Sequence, residues 1–149
     1  MKWLTILTCI LFVGCVQVDN GESPGVVETK PEVSPEFAIA DKDIVAKLLA
    51  APELKDSALL RKYAAYCKGA AELIRNQKDV SLVDILIGVK KSNAVFIGVR
   101  SPTLSQIAVG LMPESGGAES ERDVLATKWD VLSVSCHAAA YELDKLSTK

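Results

Sequence analysis

From residue 38 to the C-terminus, apolar positions recur at spacings of three and four, the period of helices with one buried face, while before residue 38 no such period exists. Asp41 is placed to cap a short helix ending near Ala50, and Pro52 suits the first turn of the next, where its missing N–H costs nothing. That second helix carries Leu59, Tyr63, Tyr66, Cys67, Ala70, Ile74 and Gln77 on one face. Arg61, Lys62, Lys68, Glu72 and Arg75 fall largely elsewhere. Gly69 lowers its stability by about 1 kcal/mol relative to alanine and leaves room for a close neighbour. Ser81, with Asp84 three residues on, opens a third helix with Leu82, Ile85, Leu86, Val89 and Asn93 as its inward stripe. Residues 94–99 have strand-like composition, but no second strand exists to pair with them, so they read as helix. Ser101-Pro102 opens a further helix to about Leu111, and residues 113–117 form a loop. A long helix over 119–146 closes the chain, with acids Glu119, Glu121 and Asp123 at its positive end and Lys145 near its negative end. Leu125, Trp129, Leu132, Cys136, Ala139, Leu143 and Leu146 make its core stripe. With no internal repeat, the fold class expected is all-α, an irregular bundle of four to five helices following a disordered tether.

The first residues have a different pattern. Lys2 precedes a predominantly apolar run over 4–13, and the small residue Gly14 follows, the form of an export signal. The apolar stretch over 3–18 is shorter than the roughly 20 residues a spanning helix needs, which disfavours an uncleaved anchor. An ordinary secretory peptide cut nearby is the plainer alternative. Phe12-Val13-Gly14-Cys15 resembles the bacterial lipobox, with Phe12 where leucine is usual. The resemblance implies that Cys15 becomes a lipidated N-terminus, and that Val16 behind it favours the outer membrane in a Gram-negative host. Residues 16–37 hold Pro24, Pro31, Pro35 and five acids against one lysine, a composition that cannot bury a core and suits a semi-extended tether. The organisation expected is a signal peptide over 1–14, a lipid-anchored tether over 15–37 and a helical domain over 38–149.

The cysteines fit export. Cys9 leaves with the signal and Cys15 takes the lipid, so Cys67 and Cys136 remain as an even pair in a compartment that permits disulfides. Each stands on the inward stripe of its helix, which makes a Cys67–Cys136 bridge the natural expectation. Closing a loop of about 70 residues stabilises by roughly 4 kcal/mol on the chain-entropy model. The alternative is two buried free thiols acting as small apolar residues.

Charge and motifs narrow the function by exclusion. The net charge is −2, so there is no basic footprint for nucleic acid. The sequence contains no GxxxxGK[ST], GxGxxG, GxSxG or HExxH pattern. His137 follows Cys136, but adjoining helix positions diverge by about 100°, which separates the two as nucleophile and base. One histidine and two separated cysteines match no zinc spacing. Neither a metal nor a cofactor is expected, and Glu119 with Asp123 reads as a response to the helix dipole. Tyr63, Tyr66, Trp129 and Tyr141 could line a groove but fit core packing better, and Lys90-Lys91 suits a solvated face.

The function expected is therefore a lipid-anchored cell-envelope protein with a non-catalytic binding or scaffolding domain. Its partners are the membrane, through the anchor, and an envelope protein. One rival is an envelope lipoprotein encoded by a phage or mobile element, acting in superinfection exclusion or lysis; the tether resembles, in composition alone, the proline-rich tails of lysis lipoproteins. The other is an enzyme with an unrecognised site.

Overall fold

The computed structural model describes residues 37–97, 101–113 and 117–149. The expected signal peptide, Cys15 and nearly all of the tether lie outside these residues. The described chain forms five α-helices: α1 Lys42–Ala50, α2 Ser57–Asn76, α3 Leu82–Ile97, α4 Pro102–Leu111 and α5 Arg122–Ser147. No strand occurs among the described residues, and residues 94–97 continue α3 as helix.

The helix starts follow from side chains that accept otherwise orphaned backbone N–H groups. Asp41 Oδ1 accepts from Asp43 and Ile44 at 2.9 and 3.1 Å, which starts α1. Ser81 Oγ accepts from Asp84 N at 3.2 Å, and Ser101 Oγ from Leu104 N at 3.2 Å behind Pro102. α2 begins later than Pro52 suggested. Asp56, accepting from Ala58 N at 2.8 Å, is the working cap, and Pro52 lies in the preceding turn. α5 likewise starts at Arg122, behind one 3-10 turn at Glu119–Glu121.

The core is centred on α2 and α5, which pack antiparallel. Arg61 near the start of α2 pairs with Asp144 near the end of α5, and Arg75 near the end of α2 meets Asp130 at 2.6 Å. Along this interface lie Leu60, Tyr63, Ala64, Cys67, Ala70, Ala71 and Ile74 from α2. They face Leu125, Ala126, Trp129, Leu132, Cys136, Ala139, Ala140 and Leu143 from α5. The buried face of α2 is thus turned towards Leu60 and Ala64 relative to the stripe expected through Leu59, and Leu146 at the end of α5 is exposed. Small side chains set the close approach: Ala64, Ala71, Ala126, Ala139 and Ala140 are fully buried, and Ser133 donates to Ala64 O across the interface at 2.8 Å. Gly69 has no such role. It is exposed, with open space where a side chain would stand.

The shorter helices close around this pair. α1 rests on α5, fixed where Asp41 N–H donates to Ser135 Oγ at 2.9 Å. α3 packs on α2 and α4 through Leu82, Ile85, Leu86, Val89 and Asn93, the inward stripe expected for it, and also through Ile97. Glu53 accepts from Thr103 N at 3.2 Å, tying the α1–α2 turn to the start of α4. Gly117, at φ +76°, takes the left-handed conformation before α5; a Cβ there would meet Leu82, Leu86 and Pro113 at 3.3–3.4 Å.

Candidate functional site

A hydrogen-bonded assembly built on the buried Arg122 and the exposed Glu119 joins the end of α2, the start of α3 and the start of α5. The guanidinium of Arg122, itself buried, uses all five of its N–H donors. Nη1 donates to Ile74 O at 2.8 Å and Gln77 O at 3.0 Å, Nη2 to Val80 O at 3.0 Å and Glu119 Oε2 at 2.7 Å, and Nε to the same carboxylate oxygen at 2.9 Å. Glu119 Oε1 accepts from Leu82 N at 2.8 Å. One ion pair therefore satisfies carbonyls at the end of α2 and in the following turn, together with an N–H at the start of α3. The Leu82 N–H first, and the guanidinium next, hold the Glu119 carboxyl below its usual range. The acid at residue 119 thus acts on α3, where the dipole of its own helix had been expected to explain it.

An aromatic cluster lies along the same three helices. Tyr63 donates to Asn93 Oδ1 at 2.7 Å and Tyr66 to Val89 O at 2.9 Å, with Ser92 Oγ 2.8 Å from the Tyr66 hydroxyl. Tyr66 stacks on Phe96 at 5.4 Å and meets Trp129 edge-on at 6.2 Å. The Trp129 indole N–H is buried without a hydrogen-bond partner. Three of the four aromatics singled out in the sequence are thus core. Tyr141 stands apart, with Phe37 at 5.7 Å and the Lys145 ammonium 4.3 Å from its ring centre.

Cys67 and Cys136 are both fully buried between α2 and α5, as free thiols, so the bridge expected from the sequence is not formed in this structure. Placing two cysteines on facing stripes brings them to one interface, but a stripe does not fix the sulfur geometry a bond requires. Burial pushes the Cys136 thiol up to about 12 and also raises that of Cys67, with the neighbouring Cys136 adding to the effect. Such thiols are poor nucleophiles at neutral pH. His137 is exposed while Cys136 is buried, the divergence expected of adjoining helix positions. Among the described residues, no group of three His, Cys, Asp or Glu side chains is placed to hold a metal ion.

Clefts open on the surface of the described residues. One, about 450 Å³, lies between the start of α1, the end of α4 and the first half of α5. Ile44, Leu111, Val124 and Val131 wall it, with Asp123 and Lys128 also lining it, and the Asp41 carboxylate there is occupied by its capping bonds. Such a cleft offers aliphatic contact with charge beside it. Another, about 370 Å³, is lined by Phe37, Arg61, Val134, His137 and Tyr141, and its Arg61 is paired with Asp144.

Sequence reasoning missed Arg122, the most heavily bonded side chain of the fold. The signal was an arginine at the positive end of a long helix, where a cation is unfavourable unless its charge is used elsewhere. Asn93 was placed inward, but its bond with Tyr63 was not foreseen, because partners thirty residues apart leave no local trace. No protein-family model, no curated protein and no solved structure matches this chain.

Proposed function

We propose that the chain is a lipid-anchored protein of the bacterial cell envelope, whose helical bundle is a non-catalytic binding or scaffolding domain facing the periplasm or the exterior. The observation that carries this reading is the apolar run over 4–13 ending in Gly14-Cys15, followed by a proline-rich acidic segment. The bundle is suited to hang from such a segment. Its first described residues are fixed against α5, Phe37 by its ring contact with Tyr141 and Asp41 by its bond to Ser135. In this reading residues 15–37 span the lipid head groups and the bundle offers surfaces to a protein partner. The Arg122–Glu119 pair and the Tyr63–Asn93 bond are engaged in holding helices together, so in this reading a partner is met by the exposed helix faces.

The test is the intact mass of the full chain expressed in a bacterial host and extracted from its membranes. A mass beginning at Cys15 with added acyl chains is expected. A mass that retains Met1, or a chain released without lipid, overturns the reading.

A further inference from the structure

We propose that α3 is a self-association surface, on which a second copy of this chain docks through an antiparallel α3–α3 pair about a two-fold axis near Ile87. This inference goes beyond the anchoring proposal and does not depend on it.

The starting observation is that α3 has apolar residues on two faces. Leu82, Ile85, Leu86, Val89, Asn93 and Ile97 are buried against the bundle. On the flank of this buried face Val83 and Ile87 are 43% and 46% exposed, Ala94 is exposed with them, and Val80 just before the helix is 41% exposed. Val83, Ile87 and Ala94 fall at helical spacing on one stripe, with Val80 in the turn before it, so they form a patch where scattered apolar residues would need no explanation.

The charges on this stripe are arranged for a copy of itself. Asp84 lies in the first half of the helix, and Lys90 and Lys91 in the second. In an antiparallel pair, positions on the same flank of each helix meet, so one copy's Asp84 faces its partner's Lys91 and the reverse, giving two equivalent ion pairs. The same register sets Ile87 beside its symmetry mate on the axis. It carries Val80 and Val83 of each copy towards Ala94 and the lysine stems of the other, which cover apolar surface while their ammonium groups stay wet. A parallel pair would instead juxtapose like charges. This self-complementarity of one patch is what an isologous two-fold interface requires.

The experiment uses the full chain in its bacterial host, in whichever fraction holds it. With Ile87→Cys, mild oxidation is expected to yield a disulfide-linked dimer on a non-reducing gel. Lys62→Cys, on the outer face of α2, is expected to yield none. Adding Asp84→Lys to Ile87→Cys should weaken pairing about tenfold, since two exposed attractions become two repulsions. Adding Lys91→Asp to that variant should restore it. A stripe that instead rests on a lipid surface or on a different protein gives no cross-link, or one indifferent to the charge exchange, and either result overturns the proposal. Because the triple variant regains what the double variant loses, misfolding caused by the substitutions cannot imitate the expected pattern.

Discussion

α2 and α3 are both amphipathic, yet they use their outer faces differently. α2 buries Leu60, Tyr63, Cys67 and Ile74 against α5 and presents Arg61, Lys62, Lys68 and Glu72 to solvent. α3 buries an equally apolar stripe and then presents Val83, Ile87, Ala94 and Val95 alongside two lysines. The α2–α5 pair is satisfied within one chain, whereas α3 retains apolar surface that intramolecular packing does not use. The difference separates residues that hold the fold from residues available for association, and it can be broken at either end.

The largest effect is expected in the α2–α5 core. Leu132 is fully buried there, and Leu132→Ala should cost about 3 kcal/mol in urea unfolding through lost burial and the cavity left between close-packed helices. The equivalent truncation on the outer stripe of α3, Ile87→Ala, should change the stability of the dilute chain by less than about 0.5 kcal/mol. Comparable losses at the two positions would erase the distinction.

Arg122→Ala comes next, at about 2 kcal/mol, because it leaves the Ile74 carbonyl without its donor while water can reach the more exposed carbonyls of Gln77 and Val80. Arg122→Lys should recover little of this. One ammonium cannot reproduce five donors arranged in a plane. Since this guanidinium joins the end of α2 to the start of α3, amide exchange in Arg122→Ala should accelerate first in residues 77–85, before the centre of α5.

Where local chemistry decides the structure, the sequence was enough. Asp41, Ser81 and Ser101 cap helices as their positions indicate, and the inward stripe of α3 from Leu82 to Asn93 is the one its periodicity requires. The phase of α2 was less legible. Leu59 and Leu60 are both leucines, and the alanines that select Leu60, at positions 64 and 71, carry little hydrophobic signal until α5 approaches closely. The start of α5 was misplaced because Glu119 and Arg122 are committed to α3 and to the end of α2, contacts made across more than thirty residues of chain. That Cys67 and Cys136 meet at one buried interface was legible, because each stands on the inward stripe of its helix.

A smaller effect is expected on acidification. Glu119, Asp144 and Glu53 are each held below their ordinary values: Glu119 first by the Leu82 N–H, Asp144 first by the Ser57 hydroxyl and Glu53 first by Thr103. Carboxylates with lowered folded values bind fewer protons in the native state than in the unfolded one. Their stabilisation is therefore complete above the ordinary values of 4.5 and 3.8, and is lost as pH falls through the lower folded values. Urea midpoints measured from pH 7 down to pH 3 should decline mainly below pH 4.5, and Glu119→Gln should flatten that decline. An unchanged slope in Glu119→Gln would remove this carboxylate from the acid response.

The smallest effect sharpens the comparison most, because it vanishes in the dilute chain. If the outer stripe of α3 pairs with itself, folding and association are linked, and the native state gains stability in proportion to the logarithm of protein concentration. The melting temperature of the native chain should then rise by a few degrees over about a hundredfold increase in concentration. Ile87→Ser should melt within a few degrees of the native chain when dilute, since the residue is half-exposed, and should show no rise when concentrated. Leu132→Ala should behave in the opposite way, shifted downward at every concentration with the rise retained. A concentration-independent native chain would leave α3 with an unpaired apolar face, and the difference between the two helices would then be one of composition without consequence for assembly.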